Sequence, residues 1–169
     1  MQISTTRFGS ITIDESRVIQ MKGGGILGFE HLKRYVLLTQ NEKIPFMWFQ
    51  SIDDSSIAFV VINSFIIAPE YDLMIGDNDT RFLGIESHED VVLMSIVTIR
   101  PNPFTVTANL RAPLVINRKN RFGKQIVLNE PDYPIQYLLT VGSVSTEASL
   151  LENKEKHSNI KNLSTALNF

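Results

Sequence analysis

The feature of this chain that most constrains its fold is the spacing of its apolar residues. They fall in short runs rich in Val, Ile, Phe and Thr, and the runs are separated by Gly, Pro, Asn and Asp. β-Branched and aromatic residues suit a pleated, half-buried strand, and the separating residues are those that turn a chain. A hairpin is predicted over 5–13, around Phe8 and Gly9, with a strand over 17–21 after it. Further strands are predicted at 36–39, 45–50, 57–62, 73–75, 91–99, 104–110, 114–117 and 125–128, with a short helix over 79–83.

Strands this numerous and this closely spaced leave no room for alternating βαβ units. A twisted sheet that curls into a partial barrel protects its edges and buries one face of each strand. The expected class is all-β: an antiparallel, partly closed, barrel-like sheet with one or two short helices and a C-terminal tail. The β domain is expected to span 1–140 and to fold without residues 141–169. Within that tail Ser149 and Glu152 have the spacing of a capping box, and Ile160, Leu163 and Leu167 lie three and four apart. Both a weakly amphipathic helix and a flexible segment fit that pattern.

Composition narrows the class of protein. A length of 169 residues suits one domain with a sizeable core, and 43% hydrophobic with 20% charged residues is ordinary for a globular chain. Residues 1–7 lack the apolar centre of a secretory signal, and no apolar run reaches bilayer length. The chain has no cysteine, which removes disulfides, thiolate nucleophiles and cysteine-held zinc and fits a cytoplasmic location. A formal net charge of -2 gives no overall attraction to nucleic acid.

The chemical motifs resolve into turns. Gly23, Gly25 and Gly28 have the spacing of a dinucleotide loop, but such a loop needs a helix N-terminus at the phosphates, and only a short polar stretch follows here. Asp77, Asn78 and Asp79 open like a calcium loop, yet Arg81, Phe82 and His88 stand where a ligand, the turn glycine and the closing glutamate belong. His31, His88 and His157 are far apart, and no serine lies in a nucleophile elbow. Asp53 and Asp54 are adjacent, so in a strand they would face opposite ways, and a solvated turn is their expected place. No cofactor, metal or catalytic group is expected.

Charge is segregated along the chain. Between 69 and 90 stand Glu70, Asp72, Asp77, Asp79, Glu86, Glu89 and Asp90 against Arg81 alone. Between 100 and 124 stand Arg100, Arg111, Arg118, Lys119, Arg121 and Lys124 with no acid. The two segments either neutralise one another across the fold or form separate surfaces for oppositely charged partners.

Several segments in order resemble the flagellar assembly factor FliW family across about 3–139. They are Gly28-Phe29-Glu30; PFMWFQSID at 45–53; AFVV at 58–61; PEYD at 69–72; TANLRAPLVIN at 107–117; GKQIVL at 123–128; and YPIQYLL at 133–139. Leu27 replaces the proline usual before the Gly-Phe-Glu triplet, Asn63 and Ser64 stand where an acid and a proline are common, and the tail is longer than the family needs. The resemblance implies a barrel-like β fold and a cytoplasmic regulator, monomeric when unbound, that binds flagellin and the translational repressor CsrA in alternation and touches neither membrane nor nucleic acid. Glu30, Asp53, Asp54, Glu70, Asp72 and Asn109 are the candidate protein contacts. Asn109 is also open to a structural role, tying a strand end to a turn, and that reading is preferred over a contact role. Two other readings are a barrel that binds RNA through 100–124 with Trp48 or a phenylalanine as a stacking platform, and a nucleotide enzyme using the 23–28 loop.

Overall fold

The computed structural model of the protein describes residues 1–41, 44–129 and 133–140; the predicted tail, 141–169, lies outside them. Eleven strands run in the order β1 (Gln2–Thr5), β2 (Gly9–Thr12), β3 (Ile19–Met21), β4 (Arg34–Leu38), β5 (Phe46–Ser51), β6 (Ala58–Asn63), β7 (Val91–Pro101), β8 (Phe104–Ala108), β9 (Leu114–Asn117), β10 (Phe122–Gln125) and β11 (Tyr137–Leu138). Two short helices, α1 (Ser64–Ile67) and α2 (Asp77–Leu83), fall between β6 and β7.

The predicted all-β barrel is present. Strands β7, β6, β5, β4, β3, β10 and β9 follow one another by hydrogen bonding, and β9 returns to β7 to close the ring. All of these pairs are antiparallel except β3 with β10, which is parallel. Closure depends on the length of β7. On one edge its first half pairs with β9, from Val91 to Met94, and its second half with β8, from Val97 to Pro101. Strand β8 then carries β11 outward as a flap beyond the ring.

Alternation sorts the side chains into layers. Inside the ring sit Ile19, Met21, Tyr35, Leu37, Phe49, Val61, Met94, Leu114 and Ile116. Two further clusters lie on its outer wall. The β1–β2 hairpin covers Val36 and Leu38 with Ile3 and Ile13. On the other side the segment from α1 to α2 covers Ile62, Leu93, Val97 and Val115 with Ile67, Tyr71 and Leu83.

Several predicted boundaries move by one to three residues, and three of the differences have a local physical cause. The stretch 73–75 is not a strand; Leu73 and Ile75 are half-buried and Met74 is exposed, so its alternation records one-sided burial against the outer wall with no strand beside it. The strand predicted at 125–128 lies earlier, as β10. The Ile126 and Leu128 amides do donate to the Pro113 and Arg111 carbonyls, but Pro113 has no N–H to return, and the regular ladder stops. The strand predicted at 17–21 begins only at Ile19, because a 3-10 turn over Glu15–Arg17, capped by Asp14, occupies its start.

Candidate functional site

The glycine loop is a turn. Gly23, Gly24, Gly25 and Gly28 all have positive φ, between 56° and 100°, a region that residues with a Cβ rarely enter. Ile26 bridges Phe29 across the turn, and the chain passes on to β4 without a helix, so no helix N-terminus faces the glycines. Leu27 explains its own departure from the family pattern. Its amide donates to the Gln125 side chain at 2.9 Å, a bond a proline could not make.

The six candidate contact residues separate in space. Glu30, Asp53 and Asp54 gather near the start of β4. The Gly28 amide, then Glu30's own amide, hydrogen-bonds the Glu30 carboxylate and holds its pKa low. Burial opposes ionisation of Asp53, but the Lys33 and Arg34 amides and the Arg34 guanidinium, at 2.7–2.8 Å, outweigh it and the pKa falls. The Ser56 hydroxyl and amide do the same for Asp54, and His31 exerts a field on both Glu30 and Asp54. Elsewhere Asn109 accepts from the Arg111 and Ala112 amides, each at 3.0 Å, turning the chain out of β8.

Glu70 and Asp72 lie in a different setting. Both are exposed, while Tyr71 between them is buried. The Tyr71 hydroxyl donates to the Leu110 carbonyl at 2.5 Å, and its ring meets Tyr133 edge-on at 4.6 Å. The Tyr133 hydroxyl in turn accepts from the Asp72 amide and donates to the Asp72 carbonyl, at 3.1 and 2.9 Å. Family-like segments distant in sequence thus meet at one tyrosine pair, which fixes the backbone that presents the two acids.

A groove opens beside them on the outer wall. It has a volume of about 700 Å³, and its lining includes Phe65, Leu73, Ile75, Ile85, Val91 and Leu93, with Asp72 and Glu86 at the edge. Helix α1 forms one side. Asn63 caps it, accepting from the Phe65 amide at 3.0 Å, and Ser64 meets Ser95 at 2.9 Å in the interior. Residues three apart share a helix face, so burying Ser64 and Ile67 turns Phe65 and Ile66 outward.

The opposed charge segments do neutralise one another in part. Lys119 binds Asp90 at 3.0 Å and reaches Glu86 at 3.5 Å, and Lys124 binds Asp79. Asp90 is 3% exposed and also accepts from the Glu86 and Ser87 amides, closing a capping box before β7. The Lys119 hydrogen bond is the main cause of its lowered pKa. A carboxylate depressed in the folded state adds stability above its unfolded pKa of about 3.9, and that stability is lost as pH falls through the folded value. Asp90→Asn should therefore lower the melting temperature at pH 7, and its curve should rejoin that of the parent protein once the pH has fallen below the lowered folded-state pKa of Asp90. Curves that stay parallel over the whole pH range would show that Asp90 acts through shape alone.

Sequence reasoning assigned no individual partner to Lys119, Lys124, Tyr133 or Asn117, because each acts on a partner far away in the chain. Among the described residues, no cluster of His, Asp or Glu is placed to hold a metal ion, and no helix is long and apolar enough to cross a membrane.

Fold and surface together define a small closed β-barrel with an acid-edged apolar groove on its outer wall. The family model described as "FliW protein" matches residues 2–139. A flagellar assembly factor FliW from Syntrophus aciditrophicus is 53% identical over 137 residues, covering 81% of this chain and 86% of the relative. One from Clostridium botulinum is 40% identical, covering 78% and 92%. A crystal structure of the flagellar assembly factor FliW superposes with a TM-score of 0.74 at 35% identity, over 82% of this chain and 96% of the other. The chain belongs to the FliW family of flagellar assembly factors.

Proposed function

We propose that this protein is a cytoplasmic, non-catalytic partner switch that binds flagellin and CsrA in alternation and so relieves CsrA repression of flagellin synthesis. The observation that carries the reading is the pair Glu70 and Asp72, exposed on a backbone held by Tyr71 and Tyr133 and next to the apolar groove. CsrA must present basic surface to bind RNA. An acidic face attracts that surface and repels phosphate through one cause. The RNA-binding alternative is weaker on two counts. Lys119 and Lys124 are engaged by acids, and Trp48 carries the Arg7 guanidinium 4.0 Å from its ring centroid with Phe8 edge-on beside it, so that it is no open stacking platform.

The test is Glu70→Lys with Asp72→Lys, titrated against CsrA and flagellin at two salt concentrations. Reversing two exposed charges should slow CsrA association roughly tenfold or more at low salt and flatten its salt dependence. Unchanged CsrA binding by a folded variant rejects the assignment. Equal losses for both partners point to one shared surface.

A further inference from the structure

We propose that the groove between α1 and residues 85–93 is the seat of an apolar side chain carried on a basic protein segment, so that the acids govern how fast the partner arrives and the groove how long it stays. The inference rests on the reading that the acidic face docks a basic partner, and adds what holds that partner once it has arrived.

Three observations lead to it. First, apolar side chains are exposed at the groove and next to it in the chain: Phe65, which lines it, is 45% exposed, and Ile66 and Met74, each adjacent in sequence to a lining residue, are 52% and 83% exposed. The backbone does not require this, since positions 65 and 66 face away from the wall and polar side chains would serve there. Contiguous exposed apolar residues edged by charge mark an interaction surface. Second, the groove has walls. Tyr71 and Leu93 are buried and anchored in the outer cluster, so the recess between Phe65, Leu73 and Ile85 does not depend on a mobile flap. Third, charge selects the occupant. Asp72 and Glu86 line the groove together with His88, Glu70 precedes it, and the one Lys or Arg between 69 and 90, Arg81, is turned to Asn78 and the Asp77 carbonyl. A smaller recess of about 290 Å³ at the β8 flap, edged by Leu27 and Ile135, is lined by Arg100 and by no acid. Two apolar recesses of opposite charge make the acidic one specific for a basic segment.

The division of labour follows from range. Charges act over about a Debye length and so affect encounter, whereas a buried apolar contact forms only after docking and sets the lifetime of the complex. Association and dissociation rates with CsrA should therefore respond to different substitutions. Phe65→Ser should raise the dissociation rate about tenfold and leave the association rate and its salt dependence as they were. Ile135→Ser, which removes a similarly exposed side chain from the other recess, should change neither rate. The charge-reversed pair should slow association alone.

A folded Phe65→Ser protein that dissociates like the parent overturns the groove proposal and leaves the partner assignment standing. If the parent protein does not bind CsrA at all, the partner assignment fails, and the groove is judged on a helical peptide of lysine and leucine with one apolar face. Amide shifts on adding that peptide, confined to Phe65, Leu73, Ile85 and their neighbours, uphold it. Shifts absent there, or centred on Arg100 and Ile135, overturn it. The same peptide titration on the parent protein decides the matter if Phe65→Ser does not fold.

Discussion

Phe49→Ala should cost about 3–5 kcal/mol of folding stability. Phe49 is fully buried inside the barrel, where its ring stacks on Tyr35 at 4.5 Å with the planes 3° apart. Tyr35 is fully buried as well, and burial is the first cause of a hydroxyl pKa pushed up to about 12. Removing Phe49 takes away the ring against which that tyrosine lies, and a closed ring of strands has little freedom to move in and fill the space. Urea denaturation reads the loss directly. Domains of this size are stable by about 5–15 kcal/mol, so the variant should unfold at much lower denaturant. A loss below about 1 kcal/mol would mean that the barrel interior repacks freely, contrary to this account.

Asn117→Ala should cost about 2–4 kcal/mol through hydrogen bonds, and it should act beyond its own strand. Asn117 ends β9 and is 1% exposed. Its amide nitrogen donates to the Leu83 and Gly84 carbonyls at 3.0 and 2.8 Å, and its oxygen accepts from the Lys119 amide at 2.8 Å. Leu83 keeps a second donor in the Asn120 side chain at 2.9 Å, so the groups that lose this side-chain partner are the Gly84 carbonyl and the Lys119 and Asn120 amides. The bonds to the Leu83 and Gly84 carbonyls tie the end of α2 to the barrel wall. Hydrogen exchange should quicken across α2 well before the barrel strands are affected, and Asn117→Asp, which retains the acceptor alone, should fall between the two. An Asn117→Ala protein within about 0.5 kcal/mol of the parent would show that α2 is held by packing, chiefly Leu83, and not by this amide.

The two predictions mark where reading the chain worked and where it stopped. Strands such as β5, β6 and β9 were legible because a short apolar run rich in β-branched and aromatic residues is a local property, visible within six residues. The same rule misled at 73–75, where burial on one face came from covering a sheet and not from joining it. Charge told a similar story. The opposed signs of 69–90 and 100–124 could be read from the chain, but the pairing of Lys119 with Asp90 depends on β9 lying beside the start of β7, and that of Lys124 with Asp79 on β10 lying beside α2.

The sequence by itself determined the fold class, the turn nature of the glycine segment, the family and the candidate acids Glu70 and Asp72, because each is encoded in neighbouring residues or in motifs kept in order. Only the tertiary structure decided which acids are engaged within the protein and which stay exposed. Asp53 and Asp90 look no different from Asp72 as letters, yet backbone amides and cations engage the first two, while Tyr133 holds only the backbone of the third. Closure of the barrel, the tyrosine pair and the groove beside α1 were likewise decided in three dimensions. A hydrogen bond or a recess is a relation between distant parts of a chain, and local pattern carries no record of which distant parts will meet.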